Sequence, residues 1–201
     1  VMDIGGGSTE LILGRGNQPL VTESIAIGSG TFGARYFQGG CITAQALLEA
    51  ERVATVQFEK VAVRYRARGW QQVIGSSGTA RMLAKVLKAN ALNDDGESGI
   101  TYSGLLRLSL CLLEVGHVKQ LRLAGLQSHR LGILPGGLVL MLAAFKVFGV
   151  SHMTPSEPGL RFGVLAGGGD ADDDKTVFSA APAGGDSDDQ TLPPLPPPGG
   201  G

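Results

Sequence analysis

Two cysteines and three histidines in 201 residues leave little material for a metal centre built on thiolate or imidazole ligands. Cys41 and Cys111 can close at most one disulfide and match no metal-ligand spacing. Both lie in apolar stretches, which predicts reduced thiols in the core. His117, His129 and His152 share no HxxxH or HxxE arrangement, so a histidine metal site is not expected. No run of 18 apolar residues occurs. The longest, Leu138 to Phe145, would span about 12 Å as a helix at 1.5 Å per residue, well short of a bilayer. Val1-Met2-Asp3-Ile4 lacks the basic and long apolar regions of a signal peptide, and a cytoplasmic location is the expectation. A Gly-x-Ser-x-Gly elbow and the Gly-Lys-Ser/Thr ending of a Walker A loop are also missing. Serine-triad, cysteine-protease and P-loop chemistry therefore find no support.

The net charge of −1 conceals two unlike parts. Residues 1–165 hold 16 Lys+Arg against 11 Asp+Glu, a net of +5, whereas residues 166–201 hold seven acidic residues and one Lys, a net of −6. Six of the ten prolines and eight of the 32 glycines fall in that second part. It has few residues able to bury a core, and residues 166–201 are expected to be a disordered acidic Gly/Pro-rich tail. The +5 of the body is too mild and scattered for bulk or sequence-specific nucleic-acid binding. Its sign does suit a cleft that receives a polyanion.

Along the body, Met2 to Ile4, Glu10 to Leu13 and Leu20 to Ile27 read as a three-stranded meander. Its turns lie at Gly5-Gly6-Gly7 and Gly14-Arg15-Gly16-Asn17. Thr31 to Phe37 reads as one or two helical turns. Leu47, Ala50, Val53, Ala54, Phe58, Val61 and Tyr65 recur at helical spacing, predicting a helix from Ala44 to about Arg68, capped by Thr43 and stopped by Gly69. A short strand, Gln71 to Ile74, runs into Gly75-Ser76-Ser77-Gly78-Thr79 and a helix from Ala80 to about Ala89. Thr101 is placed to cap a leucine-rich helix over Tyr102 to Val115. Leu126 to Leu134 and Gly137 to Phe148 read as two more helices broken at Pro135-Gly136. Strands followed by helices with interspersed strands predict a mixed α/β body.

Asp3-Ile4-Gly5-Gly6-Gly7-Ser8-Thr9-Glu10 is the most informative stretch. Its glycines permit φ > 0 and close approach to a ligand, its successive amides can form an anion nest, and Ser8 and Thr9 add hydroxyls. Asp3 and Glu10 flank the turn as oxygen ligands suited to a hard cation. The same letters also suit a plain hairpin with solvated carboxylates. Gly75-Ser76-Ser77-Gly78-Thr79 places a second glycine and hydroxyl turn before a helix, where phosphate would meet free amides and the helix dipole. It reads equally as a capped strand-to-helix turn, with Ser77 or Thr79 as the cap. Arg130 is either an exposed arginine or one directed at an anion.

These two turns, followed by Gly125-Leu126 with Arg130, Pro135-Gly136-Gly137 and Gly159-Leu160-Arg161, stand in an order that resembles the exopolyphosphatase/guanosine pentaphosphate phosphatase family (Ppx/GppA). The resemblance runs from residue 1 to about residue 165, and Asp3–Glu10 (DIGGGSTE) is its most specific element. It implies an RNase H-like domain of the actin/Hsp70/sugar-kinase superfamily, with a mixed sheet flanked by helices. It further implies release of terminal phosphate from inorganic polyphosphate or pppGpp by metal-assisted attack of water, with Mg²⁺ (or Mn²⁺). By position, Asp3 and Glu10 would hold the metal and the attacking water. Gly5, Gly6, Gly7, Ser8 and Thr9 would bind phosphate, Gly75, Ser76, Ser77, Gly78 and Thr79 would form the second phosphate loop, and Arg130 would contact the polyanion.

Family members carry a further domain ahead of DIGGGSTE, with another phosphate loop and the glutamate that serves as general base. The expectation is therefore a second domain only, residues 1–165, inactive by itself and drawn from an enzyme that is a homodimer in its full-length form. Phe162 stands where the family commonly has Glu. A non-catalytic phosphate- or nucleotide-binding module and a degenerate remnant are the alternatives.

Overall fold

The computed structural model describes residues 1–16 and 18–156. Three strands open the chain, β1 (Met2–Ile4), β2 (Thr9–Arg15) and β3 (Gln18–Ile25), followed by α1 (Ser29–Tyr36) and α2 (Ala44–Arg66). Next come β4 (Ile74–Gly75), α3 (Gly78–Ala89), β5 (Ile100–Thr101), α4 (Tyr102–Val115), α5 (Leu134–Phe148) and β6 (His152–Pro155). The strands form one sheet in the order β3-β2-β1-β4-β6-β5. β1, β2 and β3 form the expected antiparallel meander, β4 lies parallel to β1 and to β6, and β5 closes the sheet antiparallel to β6. This is the mixed sheet flanked by helices that the resemblance implied.

The core sits around α5. Every residue of that 15-residue helix except Lys146 is buried. The segment Ser128–Phe148 is long and apolar enough to cross a membrane by composition, but 78% of its most apolar window is buried inside the domain. It is a central core helix, which reads as apolar all round because protein covers every side. α2 lies along it through Leu47, Ala50, Ala54, Phe58, Ala62 and Tyr65, all buried and recurring at three- and four-residue intervals. Thr43 caps α2 by accepting from the Ala46 amide at 3.1 Å, and Gly69, at φ 66°, turns the chain away afterwards. The Tyr65 hydroxyl donates to the Leu11 carbonyl at 2.8 Å, fastening α2 to the sheet. Burial pushes that phenol well above the ordinary tyrosine range.

Several expectations need correction. Pro135 does not break a helix; it lies in the first turn of α5, where its missing N–H would have had no partner. Before it, Ser128–Ile133 form 3₁₀ turns rather than the α-helix expected over Leu126 to Leu134. The turn expected at Gly14-Arg15-Gly16-Asn17 is present but tighter: β2 continues through Arg15, with a register irregularity between Leu13 and Gly14, and the chain reverses between Arg15 and Gln18 with Gly16 at φ 54°. The thiols are free, but Cys41 is exposed and Cys111 only half-buried. Both lie where the polypeptide meets solvent, so apolar sequence neighbours were a poor guide to burial. The expected strand over Gln71 to Ile74 pairs only at Ile74–Gly75, and β5 and β6 were not anticipated. The expected tail, residues 166–201, and the boundary at 165 lie outside the described residues.

Candidate phosphate and cation site

Cross-strand register builds the site. In the antiparallel pair of β1 and β2, Asp3 stands opposite Glu10, and Glu10 in turn stands opposite Ser24 of β3. Side chains directly opposite one another share a face. Met2, Ile4, Thr9 and Leu11, on the other pleat, are buried, so Asp3 and Glu10 emerge on the half-buried side. Two carboxylates facing each other across a ladder repel, which costs stability unless something offsets it. Hydroxyl donors supply part of the offset. Ser8 donates to Glu10 Oε1 at 2.6 Å, Ser24 to the same oxygen at 3.3 Å, and Ser76 to Asp3 Oδ2 at 2.7 Å.

The glycine turn is shaped by close approach. None of Gly5, Gly6 and Gly7 takes a positive φ, contrary to expectation. The Gly5 amide donates to the Ser8 carbonyl at 2.8 Å and closes the turn. The carbonyls of Gly5 and Gly6 receive the first amides of α1: Ser29 to Gly5 at 2.8 Å, Gly30 and Thr31 to Gly6 at 2.9 and 3.1 Å. Gly28 can sit there only because it has no Cβ, which would overlap the Gly6–Gly7 peptide. With its carbonyls turned onto α1, the turn leaves the Gly6 and Gly7 amides without an acceptor among the described residues. A Cβ at either glycine would meet open space.

The second loop reaches the same place. The Ser76 amide donates to the Met2 carbonyl at 3.1 Å, which continues the pairing of β4 with β1 and brings the loop beside Asp3. Ser77 caps α3 by accepting from the Ala80 amide at 3.0 Å. The Gly78 and Thr79 amides, in the first turn, have no acceptor among the described residues. Arg130 projects from the 3₁₀ segment onto this loop: a Cβ at Gly78 would lie 3.0 and 3.1 Å from its Nη1 and Nη2. The arginine is thus half-buried over the loop and makes no ion pair among the described residues.

The two loops and Arg130 come together as the sequence implied, but three of the named hydroxyls point inward. Thr9 is buried and donates to the Ile27 carbonyl at 2.7 Å, Thr79 is buried and donates to Ser29 Oγ at 3.2 Å, and Ser77 is committed to its cap. Their part is to hold the loops. Ser24, Ser29 and Arg81 escaped the sequence reading. Ser24 was discoverable from strand register alone, whereas Ser29 and Arg81 carry no local signal. Beyond Asp3 and Glu10, no third His, Cys, Asp or Glu completes a metal-binding group among the described residues.

A meander joined to parallel strands, with two glycine loops meeting at the end of β1, defines a domain of the actin-like ATPase fold. The family model described as the Ppx/GppA phosphatase family matches residues 1–169, and the chain belongs to that family. A Haemophilus influenzae protein designated an exopolyphosphatase is 37% identical over 165 residues, covering 82% of this chain and 50% of its own length. A guanosine-5'-triphosphate,3'-diphosphate pyrophosphatase of Aeromonas hydrophila is 33% identical over 167 residues, covering 83% of this chain and 33% of its own. The chain thus spans half or less of the length of these relatives. Among solved structures, the type II variant of the Aquifex aeolicus Ppx/GppA phosphatase superposes with a TM-score of 0.67 at 23% identity. The match covers 82% of this chain and 54% of that one. A Cytophaga hutchinsonii exopolyphosphatase gives 0.63 at 21% identity, over 77% and 51%. At these identities the structural likeness speaks for the fold.

Proposed function

We propose that residues 1–156 form one wall of a phosphohydrolase site that takes the terminal phosphate of inorganic polyphosphate or pppGpp. The observation that carries this reading is the row Ser24, Glu10, Asp3, with Ser76 of the second loop bonded to its end. Beside it lie the amides of Gly6 and Gly7 and of Gly78 and Thr79, without acceptors among the described residues, and Arg130 stands against Gly78. Relatives named for both substrates support the reaction class and leave the choice between them open.

The donor set fits Mg²⁺ or Mn²⁺: two carboxylates opposed across a ladder, with no His or Cys completing a metal-binding group among the described residues. Asp3 and Glu10 would hold such an ion, whose chemistry is to neutralise phosphoryl oxygens and acidify a bound water. The Gly6 and Gly7 amides, with those of Gly78 and Thr79, would receive phosphate oxygens as preorganised donors. Arg130, beside Gly78, would add a fixed positive charge to the same anion. Proton abstraction from the attacking water needs a further base, and we assign it to an opposing domain. Turnover would then belong to the complete assembly, with residues 1–201 alone near background.

Phosphate release from polyphosphate and from pppGpp, with Mg²⁺, tests this directly. The chain alone should stay at background, and addition of the opposing domain should bring turnover. In that assembly Asp3→Ala and Glu10→Ala should each lower turnover by orders of magnitude. Wild-type rates in both variants would sink the proposal.

A further inference from the structure

We infer that Ser76 and Arg81 are positioning residues for Asp3, and that the Ser76 hydroxyl acts through this carboxylate rather than on the substrate phosphate. The inference rests on the proposed reading of Asp3 as a cation ligand. It begins with proton accounting. A serine hydroxyl has one proton, and that of Ser76 goes to Asp3 Oδ2 at 2.7 Å. While that bond stands, Ser76 has no donor left for a phosphate oxygen. Ser8 is committed in the same way to Glu10 at 2.6 Å. Each of the two opposed carboxylates thus has its own serine, one from each loop.

Ser76 is held at both ends. Its amide donates to the Met2 carbonyl at 3.1 Å, and its carbonyl accepts from Arg81 Nη1 at 2.9 Å. No amide of α3 reaches that carbonyl: the Ala80 amide goes to Ser77 Oγ and the Arg81 amide to the Ser77 carbonyl. The guanidinium supplies the donor that the helix does not. Arg81 does so from an electrostatically unfavourable place. It lies near the start of α3, whose first turn has no acidic side chain, and it forms no ion pair among the described residues. A cation at the positive end of a helix is disfavoured, so a purely helix-stabilising role does not account for it. Its bond to the Ser76 carbonyl does, because that bond sets the residue that orients Asp3. Partners that orient ligating carboxylates commonly change metal affinity by 10- to 100-fold when removed.

Mn²⁺ titration of the full chain by calorimetry or EPR provides the test, alongside polyphosphate binding without metal. Ser76→Ala should weaken Mn²⁺ binding about tenfold or more, and Ser76→Thr should largely retain it. Arg81→Ala should also weaken it, with recovery in Arg81→Lys. The two alanine effects should be less than additive, because both act through Asp3. Metal-free polyphosphate binding should not respond to Ser76→Ala. A loss there, or full additivity, would overturn the inference. Asp3→Ala separates the two levels: if it abolishes Mn²⁺ binding while Ser76→Ala has no effect, the relay alone falls. If Asp3→Ala changes nothing, the cation reading falls and takes the relay with it.

Discussion

The Thr79 hydroxyl donates to the Ser29 hydroxyl at 3.2 Å, and Ser29 passes its own proton to the Gly5 carbonyl at 3.0 Å. This buried relay joins the start of α3, the start of α1 and the glycine turn, so the two loops share one mechanical link. Gly136 and Gly137 complete it from α5. A Cβ at Gly136 would overlap the Ser29 carbonyl, and one at Gly137 would come within 2.6 Å of Thr79 Cγ2.

Ser29→Ala removes the middle of that link and leaves the Thr79 hydroxyl buried without its acceptor. Denaturant unfolding should show a loss of about 1–3 kcal/mol. Hydrogen exchange should accelerate together at the bonded amides of the glycine turn, Gly5, Ser29 and Gly30, and at those of the start of α3, Ala80 and Arg81. Acceleration at one loop only would show that the link is not shared.

Glycines 28 and 7 should respond in opposite ways. Gly28→Ala drives a Cβ into the Gly6–Gly7 peptide and should destabilise the fold by about 1–3 kcal/mol or more. Gly7→Ala meets open space at a backbone φ that alanine tolerates, so the melting temperature should hold. Its methyl would instead stand where phosphate is proposed to bind, and polyphosphate affinity should fall. Unchanged affinity would remove the turn from the site.

Asp3→Asn and Glu10→Gln each relieve one side of an opposed carboxylate pair. Without metal, thermal unfolding should show unchanged or slightly raised stability, by a few tenths of a kcal/mol, the scale of cross-strand charge pairs. With Mn²⁺, wild type should gain stability through binding, and the variants should gain less. A large metal-free loss would indicate a structural role.

Arg130→Ala should weaken polyphosphate binding, with the deficit largest at low salt, since the guanidinium acts mainly through charge. Arg130→Lys should recover part of the affinity, as a point charge without the planar fork. Isothermal titration at two ionic strengths reads both effects.

In a polypeptide that starts at Val1, the terminal amine donates to the Ile12 carbonyl at 2.6 Å as one more rung of the β1–β2 ladder. Burial lowers its pKa from 8.0 to about 4. Between those values the unfolded chain binds the proton and the folded chain does not. Stability should therefore rise with pH across that window, by at most about 1.4 kcal/mol per unit. An N-acetylated or extended chain donates a neutral amide there and should lose this dependence. Unfolding free energies between pH 4.5 and 7.5 decide it.

Much of the fold is legible because its signals are local. Thr43, Ser77 and Thr101 cap helices that their sequence neighbours announce, and the meander follows from apolar runs punctuated by glycine. β5 and β6 were illegible for the opposite reason. Ile100–Thr101 and His152–Pro155 are too short to alternate and become strands only by pairing with each other and with β4. Pro135 misled because proline stops a preceding helix and starts a following one with equal ease.

The site divides along the same line. Amino-acid order draws attention to Asp3, Glu10, both glycine loops and Arg130, but each also suits a plain structural reading, and the family resemblance is needed to assign them to one candidate site. Which hydroxyl faces outward is a different matter. Thr9, Ser77 and Thr79 read as donors to phosphate, yet each spends its proton or lone pair on the protein. Ser29 matters through partners 24 and 50 residues away in the chain, and Arg81 through one 5 residues away. Hydrogen-bond capacity is written in the residue type. Its allocation is decided by which groups the fold brings within 3 Å, and burial makes an unsatisfied one costly.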